Sequence, residues 1–441
     1  MFTSVRRFRA RRLYGAIDEQ RNFYAATRSP QQIREWQLQK FNELWGVISE
    51  HVPFYTALAR DGKAPIEFRS WEEFRETLPI ADRAFVQSHG RELSDTSRPP
   101  DFVRTTGGST AQPVQLPSWQ SELDHANADY WLGRSWFGIS PSDKLFLLWG
   151  HSHQLGHGVR GKINALRRDL KDRLLGYLRW SAYDLSDEAL RRGGDAFLKF
   201  RPRYAIGYSV GLDRFARVNA DRAAEFRSLG LKAVIATAEG FPRADSAEFI
   251  ANIFGCPVVM EYGSVECGPV AYQSPQGPFE IFWRHWFMEG LPSPEVPGAF
   301  ELFLTSLYPR CFPLVRYRMG DLITDDPNIP QFAQEFDRVI GRCNDCVTLP
   351  DGRTIHSEAF SHAVKECPSV LSFQVVQRRN GAIEFNYIPG ARTETDELEI
   401  RRRLGLIHPA LMDVSLRRVS EIPQTIAGKT RSIVVETADA N

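Results

Sequence analysis

No apolar run in this 441-residue chain approaches the length of a bilayer span, so the sequence predicts no membrane-crossing helix. Cysteine is scarce: six residues are scattered from Cys256 to Cys367, which excludes the dense disulfide framework of a small secreted domain. They read as reduced thiols in a cytoplasmic protein. An excess of charge is missing too. Fifty-five Lys and Arg face 54 Asp and Glu, and a net charge of +1 excludes the global field that gathers nucleic acid. There is no internal repeat and no low-complexity tract. The N-terminal MFTSVRRFRARRLYG carries Arg6, Arg7, Arg9, Arg11 and Arg12 with no apolar core behind them. It therefore does not read as a secretory signal, but as a solvated, poorly ordered end, with a transit peptide or surface-binding arm as alternatives.

What is present is an ordinary globular balance, 42% apolar and 25% charged residues, in a length that suggests two or three domains. Ser29-Pro30 predicts a helix start, an N-cap followed by proline at the first helical position. Ile33, Trp36, Phe41, Leu44, Trp45 and Ile48 then fall near helical spacing, and Pro53-Phe54-Tyr55 closes the segment. From residue 121 the pattern alternates. A helix over about 121–137 precedes an apolar strand, Leu145 to Trp149, and a helix carrying Ile163, Leu166, Leu170, Leu174 and Leu178 follows. Short apolar runs recur at 204–208, 233–237 and 258–262. Strands spaced by helices predict parallel sheets covered on both faces. Phe300 to Leu304 and the run to Asp321 read as a smaller β layer. After Gly341 the pattern changes, to strands near 346–349, 371–377, 383–388 and 414–419 and helices near 357–366 and 395–404. The fold class is therefore α/β: a large multi-layer N-terminal domain, 1–340, with parallel-type β/α sheets plus a small β layer, and a compact α+β C-terminal domain, 341–441.

The stretch Thr105-Thr106-Gly107-Gly108-Ser109-Thr110-Ala111-Gln112-Pro113-Val114 carries chemistry in its composition. Paired glycines let a backbone approach a ligand closely, and successive N–H groups in such a turn form a concave donor set for an anion. The hydroxyls of Thr105, Thr106, Ser109 and Thr110 can add donors to phosphate oxygens. By itself the stretch reads first as an ordinary surface turn, because short glycine-rich matches are weak. Four later stretches accompany it in order: Tyr262-Gly263-Ser264-Val265-Glu266, Tyr317-Arg318-Met319-Gly320-Asp321-Leu322, Gly341-Arg342-Cys343-Asn344-Asp345 and Pro423-Gln424-Thr425-Ile426-Ala427-Gly428-Lys429.

Together these five resemble the motifs TSGSTGxP, YGxTE, YRTGDL, GRxDD and PxTxxGK of the adenylate-forming superfamily, in its phenylacetate–CoA ligase and CapK-like branch. The resemblance covers roughly residues 35 to 435. It implies an AMP-forming ligase that joins a carboxylate to the α-phosphate of ATP and transfers the acyl group to coenzyme A. The acceptor could instead be an amine, a hydroxyl or a carrier protein. It also implies Mg2+ held by Glu266, phosphates cradled by Thr105 to Thr110, adenine stacked on Tyr262 beside Gly263 and Ser264, and ribose hydroxyls on Asp321. Glu239, in Thr237-Ala238-Glu239-Gly240, resembles the GAEP segment lining the same pocket, and Arg342 would add a nucleotide contact at a hinge. Lys429 would bridge the incoming carboxylate and the α-phosphate, and the tail that carries it would be mobile.

Several positions depart from that pattern. Ala111 and Gln112 replace Gly-Lys, Val265 replaces a hydroxyl residue, Met319 replaces threonine and Asn344 replaces the first aspartate of the hinge motif. These departures leave open a homologue that binds nucleotide without catalysis, as well as a synthetase that forms an amide or ester. The string Gly428-Lys429-Thr430 does not make a Walker A loop, because Pro423 stands at the first glycine position. His151, His153 and His157 lie after a strand with no acidic or cysteine partner at metal-ligand spacing; His151 and His153 read as a polar pocket wall near the substrate. Cys343-x-x-Cys346 has no second pair and reads as incidental.

Overall fold

The computed structural model describes residues 10–26, 28–105, 115–149, 167–168, 170–182, 185–243, 245–293, 296, 298–327, 330–342, 346–351, 354–364, 367, 370–389, 397–423 and 431–436. The chain divides into two compact units. One comprises Met1–Asp143, Val259–Ser293 and Gly298–Val339; the other comprises Lys144–Val258, Pro294–Pro297 and Ile340–Asn441.

The first described helix of this unit, Arg11–Ala25, takes in Arg11 to Gly15, the last part of the stretch that the sequence reads as a loose end. Ile17 and Gln20 on that helix are buried, so its inner face is held by packing. The helix Pro30–His51 starts where Ser29-Pro30 predicts. Ser29 Oγ accepts from Gln32 N, and Gln32 Oε1 accepts from Ser29 N, a reciprocal cap worth about 1 kcal/mol. Its apolar stripe enters an aromatic cluster in which Phe41 lies 4.9 Å from Phe74 and Trp45 lies 5.2 Å from Phe68, ring centre to ring centre. The helix ends just before Pro53, as the sequence predicts, with Val52 in extended backbone. Val52 alone separates this helix from the next, Pro53–Arg60, because proline is tolerated at a first helical position.

Two antiparallel layers complete the unit. Trp286–Pro292, Phe300–Ser306 and Tyr317–Ile323 pair in that order within the small β layer expected from the sequence, and Trp286–Pro292 is a strand the apolar pattern does not reveal. In the other layer Val258–Ser264, Gly268–Gln273, Phe279–Ile281 and Glu335–Phe336 pair in that order. A short antiparallel pair, Phe102–Thr105 with Gln115–Ser118, brings Thr105 opposite Gln115. Thr105 and Gln115, on either side of residues 106–114, thereby lie side by side.

In the second unit the strands Tyr177–Ser181, Leu145–Trp149, Tyr204–Tyr208 and Val234–Thr237 run parallel, in that spatial order. Helices Asp187–Phe200, Ser209–Val218 and Ser246–Phe254 connect or follow them, as the alternating pattern predicts. Phe146, Phe197, Phe215, Phe226 and Phe254 fill the core; each such side chain contributes about 2–3 kcal/mol on burial. Leu178 departs from expectation. Its spacing from Leu170 and Leu174 places it on a helix, yet Gly176 turns at φ 76° and residues 177–181 become a strand.

The C-terminal residues of this unit form a sheet ordered Ser415–Arg418, Ile383–Pro389, Val370–Gln377, Ile433–Val435, antiparallel at its centre and parallel at both edges. Helices Ser357–Val364 and Glu397–Ile407 accompany it. Its buried cluster, from Val347 to Ile433, is drawn entirely from the tail.

Candidate functional site

The first unit brings together residues of two of the motifs, Tyr262 to Glu266 and Tyr317 to Asp321. The strand Val258–Ser264 returns as Gly268–Gln273 through a turn of only three residues, Val265, Glu266 and Cys267. Ser264 Oγ accepts from the backbone N–H groups of Glu266 at 3.2 Å and Cys267 at 3.4 Å, so the serine shapes the turn. Gly263 is required by space. An added Cβ would collide with the carbonyl oxygen of Gly268 and lie 2.9 Å from its carbon and 3.0 Å from Pro269 Cα, all backbone atoms that cannot step aside. The ladder also slips between Tyr262 and Gly263, which turns the end of the strand out of its regular pleat.

Tyr262 is buried and donates from its hydroxyl to Asp321 Oδ2 at 2.9 Å. Its ring meets the edges of Phe279 and Phe336 at 6.4 and 6.0 Å. Asp321 sits on the strand Tyr317–Ile323, whose register against Phe300–Ser306 shifts beside Glu301. Gly320 lies at φ 73° in that irregular step, a conformation glycine adopts without strain. Arg318 points away and grips Glu301 with two 2.7 Å bonds. From the same strand Tyr317 donates to Glu266 Oε1 at 3.4 Å, so one strand touches both the tyrosine–aspartate pair and the glutamate turn.

Behind the turn lies a buried charge cluster. Glu122, fully enclosed, accepts from Trp119 N at 2.8 Å and Cys311 N at 3.0 Å. Arg104 and Arg310 both approach its other oxygen at 3.4 Å. Arg310, itself 2% exposed, donates to the Phe312 carbonyl, to the Tyr308 hydroxyl at 2.7 Å and to the Glu266 carbonyl at 2.6 Å. Nothing in the sequence marks Glu122 or Arg310. Glu122 and Cys311 are 189 positions apart, and the only local cue is a glutamate in the first turn of the helix Gln120–Trp136.

Burial also governs the thiols. Cys256, Cys267, Cys311 and Cys367 are unpaired and buried. Desolvation pushes the Cys267 thiol up to about 12, opposed by its bond with Ser264. It pushes Cys256 to about 12 and Cys311 to about 11. The thiolate is the reactive form, so a thiol reagent at pH 8 should leave Cys256, Cys267 and Cys311 unlabelled in the native protein and label them in denaturant. Mass spectrometry of labelled peptides checks this; rapid native labelling of Cys267 would contradict the closed turn.

Other sequence-selected residues lie elsewhere. Glu239 follows the strand Val234–Thr237 in the second unit, after Ala238 at φ 73°. Its carbonyl accepts from Ser209 Oγ at 2.7 Å and its Oε1 from Val210 N at 3.2 Å, at the start of the helix Ser209–Val218. Thr105 and Arg342 end the strands Phe102–Thr105 and Val339–Arg342. Thr106, Gly107, Gly108, Ser109, Thr110, His151, His153 and Lys429 lie outside the described residues.

The donor set fits a hard divalent cation such as Mg2+, which binds through one or two carboxylates plus ligand and water oxygens. Glu266 is half-buried on a tight turn, and among the described residues its second carboxylate oxygen makes no hydrogen bond. Among those residues, no group of three His, Cys, Asp or Glu assembles into a protein cage. No helix of the described residues is long and apolar enough to cross a membrane.

Known proteins resemble this chain in its tail and in its fold. Residues 347–436 match the CapK C-terminal domain family. Protein CapK of Staphylococcus aureus is 22% identical over 414 residues, 90% of this chain and 88% of that protein. Among solved structures, a 2-hydroxyisobutyryl-CoA ligase in its postadenylation state with 2-HIB-AMP superimposes with a TM-score of 0.67 at 17% identity, covering 91% of this chain and 89% of that one. The amide bond synthetase McbA from Marinactinospora thermotolerans gives a TM-score of 0.51 at 15% identity, covering 74% of this chain and 67% of its own. The resemblance read from the five motifs is borne out in the fold and in its CapK-like branch.

Proposed function

We infer that this chain, which has the fold of the adenylate-forming ligases and a tail matching the CapK C-terminal domain family, activates a carboxylic acid with ATP. A carboxylate oxygen attacks the α-phosphorus, the bond to the bridging oxygen breaks, and pyrophosphate leaves with that electron pair. The acyl-adenylate then passes its acyl group to an acceptor, releasing AMP. Coenzyme A is the acceptor we favour; an amine, a hydroxyl or a carrier protein would use the same first step. The cytoplasm is the compartment we propose for it.

The observation that carries this reading is the convergence of Tyr262, Asp321, Tyr317 and Glu266 through two hydrogen bonds. A carboxylate offers about four acceptor sites, so Asp321 can accept from Tyr262 and from ribose hydroxyls together. Tyr262, braced by Asp321 and two phenylalanines, is suited to stack on adenine. The backbone and hydroxyls of Thr105 to Thr110 would take the phosphates, with Glu239 and Arg342 contributing to the nucleotide pocket and His151 and His153 to the acid pocket. Glu266 would hold Mg2+, which supplies charge neutralisation to the phosphate oxygens. Residues 1–340 would bind ATP and acid, and 341–441 would swing Lys429 in for the first step and away for the second.

Phosphorus NMR of a reaction with ATP and a panel of acids tests the reaction class: AMP and pyrophosphate are expected, whereas ADP and phosphate would contradict it. Thioester formed with coenzyme A as the only acceptor would decide between the acceptors. Glu266→Gln should raise the Mg2+ concentration needed for half-maximal ATP binding about 10-fold, because a neutral amide replaces the charged ligand. An unchanged Mg2+ titration would remove Glu266 from the metal site.

A further inference from the structure

We propose that Arg310 is a positioning residue for the Glu266 turn, fixing the backbone from which the metal-binding carboxylate projects. The proposal rests on the reading of Glu266 given above and extends it to a residue outside the five motifs. Three observations carry it. Arg310 bonds the Glu266 carbonyl at 2.6 Å, the shortest contact its guanidinium makes. Its remaining donors are directed to Phe312 O, Tyr308 Oη and Glu122, so the planar fork is held from four directions. Glu122 is in turn anchored by two backbone N–H groups, from Trp119 and Cys311.

This arrangement does mechanical work on the turn. Ser264 fixes the turn from its N–H side, through Glu266 N and Cys267 N. Arg310 fixes it from the carbonyl side. Between the two, the peptide plane of Glu266 has little freedom, and its side chain leaves the backbone in a set direction toward Tyr317. A buried cation bound to a carbonyl is costly unless its charge is paired, and Glu122 supplies that pairing. Lysine cannot substitute, because a single ammonium does not span partners arranged for a planar fork.

The test is Arg310→Lys, with calorimetric ATP titrations at stepped Mg2+ concentrations and the exchange of pyrophosphate into ATP measured alongside. Residues that orient a metal ligand typically change metal affinity 10–100-fold on mutation, so half-saturating Mg2+ is expected to rise about 10-fold. Tyr308→Phe, which spares the Glu266 carbonyl bond, should stay within about twofold of wild type. Arg310→Gln serves as a second variant. Wild-type Mg2+ dependence in a folded Arg310→Lys protein would overturn the proposal, as would outright unfolding of both Arg310 variants, which would mark a residue needed for folding alone. If the wild type binds ATP with Mg2+ but never exchanges pyrophosphate, the reaction assigned above falls, while the Mg2+ shift still decides the role of Arg310. Absence of any Mg2+-dependent ATP binding would overturn both.

Discussion

Lys429→Ala is expected to slow acyl-adenylate formation about 100- to 1,000-fold while leaving ATP affinity within about threefold of wild type. The asymmetry follows from where the ammonium acts. A lysine is a compact point charge on a flexible stem, and its proposed position lies between the carboxylate and the α-phosphate as the new bond forms. Interactions that strengthen only in the transition state raise the rate without tightening the ground state. The measurement is a pair: pre-steady-state adenylation with a saturating acid, and ATP binding by calorimetry. Loss of ATP binding in proportion to the rate would return Lys429 to an ordinary nucleotide contact.

Gly263→Ala is expected to lower the melting temperature by roughly 5–10 °C and to abolish Mg2+-dependent ATP binding. A methyl group there meets the backbone of Gly268 and Pro269, not the end of a flexible side chain. The two strands would have to separate at their closest point, and overpacking of this kind costs about 1–3 kcal/mol or more. The turn carrying Glu266 would move with them, so stability and binding should fall together. Gly46→Ala provides the contrast. Gly46 lies within the helix Pro30–His51 with nothing near its missing Cβ, and alanine there should stabilise by about 0.5–1 kcal/mol. A Gly263→Ala protein that melts and binds like wild type would show that the hairpin opens freely.

What the sequence made legible was what short-range physics controls. Ser29-Pro30 predicted a helix start because cap and proline chemistry are local, and both hydrogen bonds of the cap are formed. The apolar runs at 204–208 and 233–237 became strands because they are too short and too β-branched or aromatic for helices of that burial. Leu178 was misread because its four-residue spacing from Leu174 is satisfied equally by a helix that stops at Gly176 and a strand that begins at Tyr177. Only the parallel partner Leu145–Trp149, a tertiary fact, separates the two.

The site shows the same division. Tyr262, Asp321 and Glu266 could be found because each sits in a motif whose glycine is demanded by a turn or a close approach. Their mutual contacts, Tyr262 to Asp321 and Tyr317 to Glu266, were not legible, since they join positions 59 and 51 residues apart. Arg310 left no trace, and Glu122 only the ordinary cue of a glutamate in a helix's first turn. Their importance lies in enclosure and pairing, and a buried arginine has the same letter as a solvated one.

The central claim is that this fold joins a carboxylate to the α-phosphate of ATP, and carboxylate-dependent exchange of radiolabelled pyrophosphate into ATP tests it most directly. Across a panel of aryl, fatty and amino acids, at least one acid should drive exchange above the acid-free rate, and Lys429→Ala should remove that increment. Mg2+-dependent ATP binding with no exchange for any acid would contradict the account and leave a nucleotide-binding protein without the chemistry.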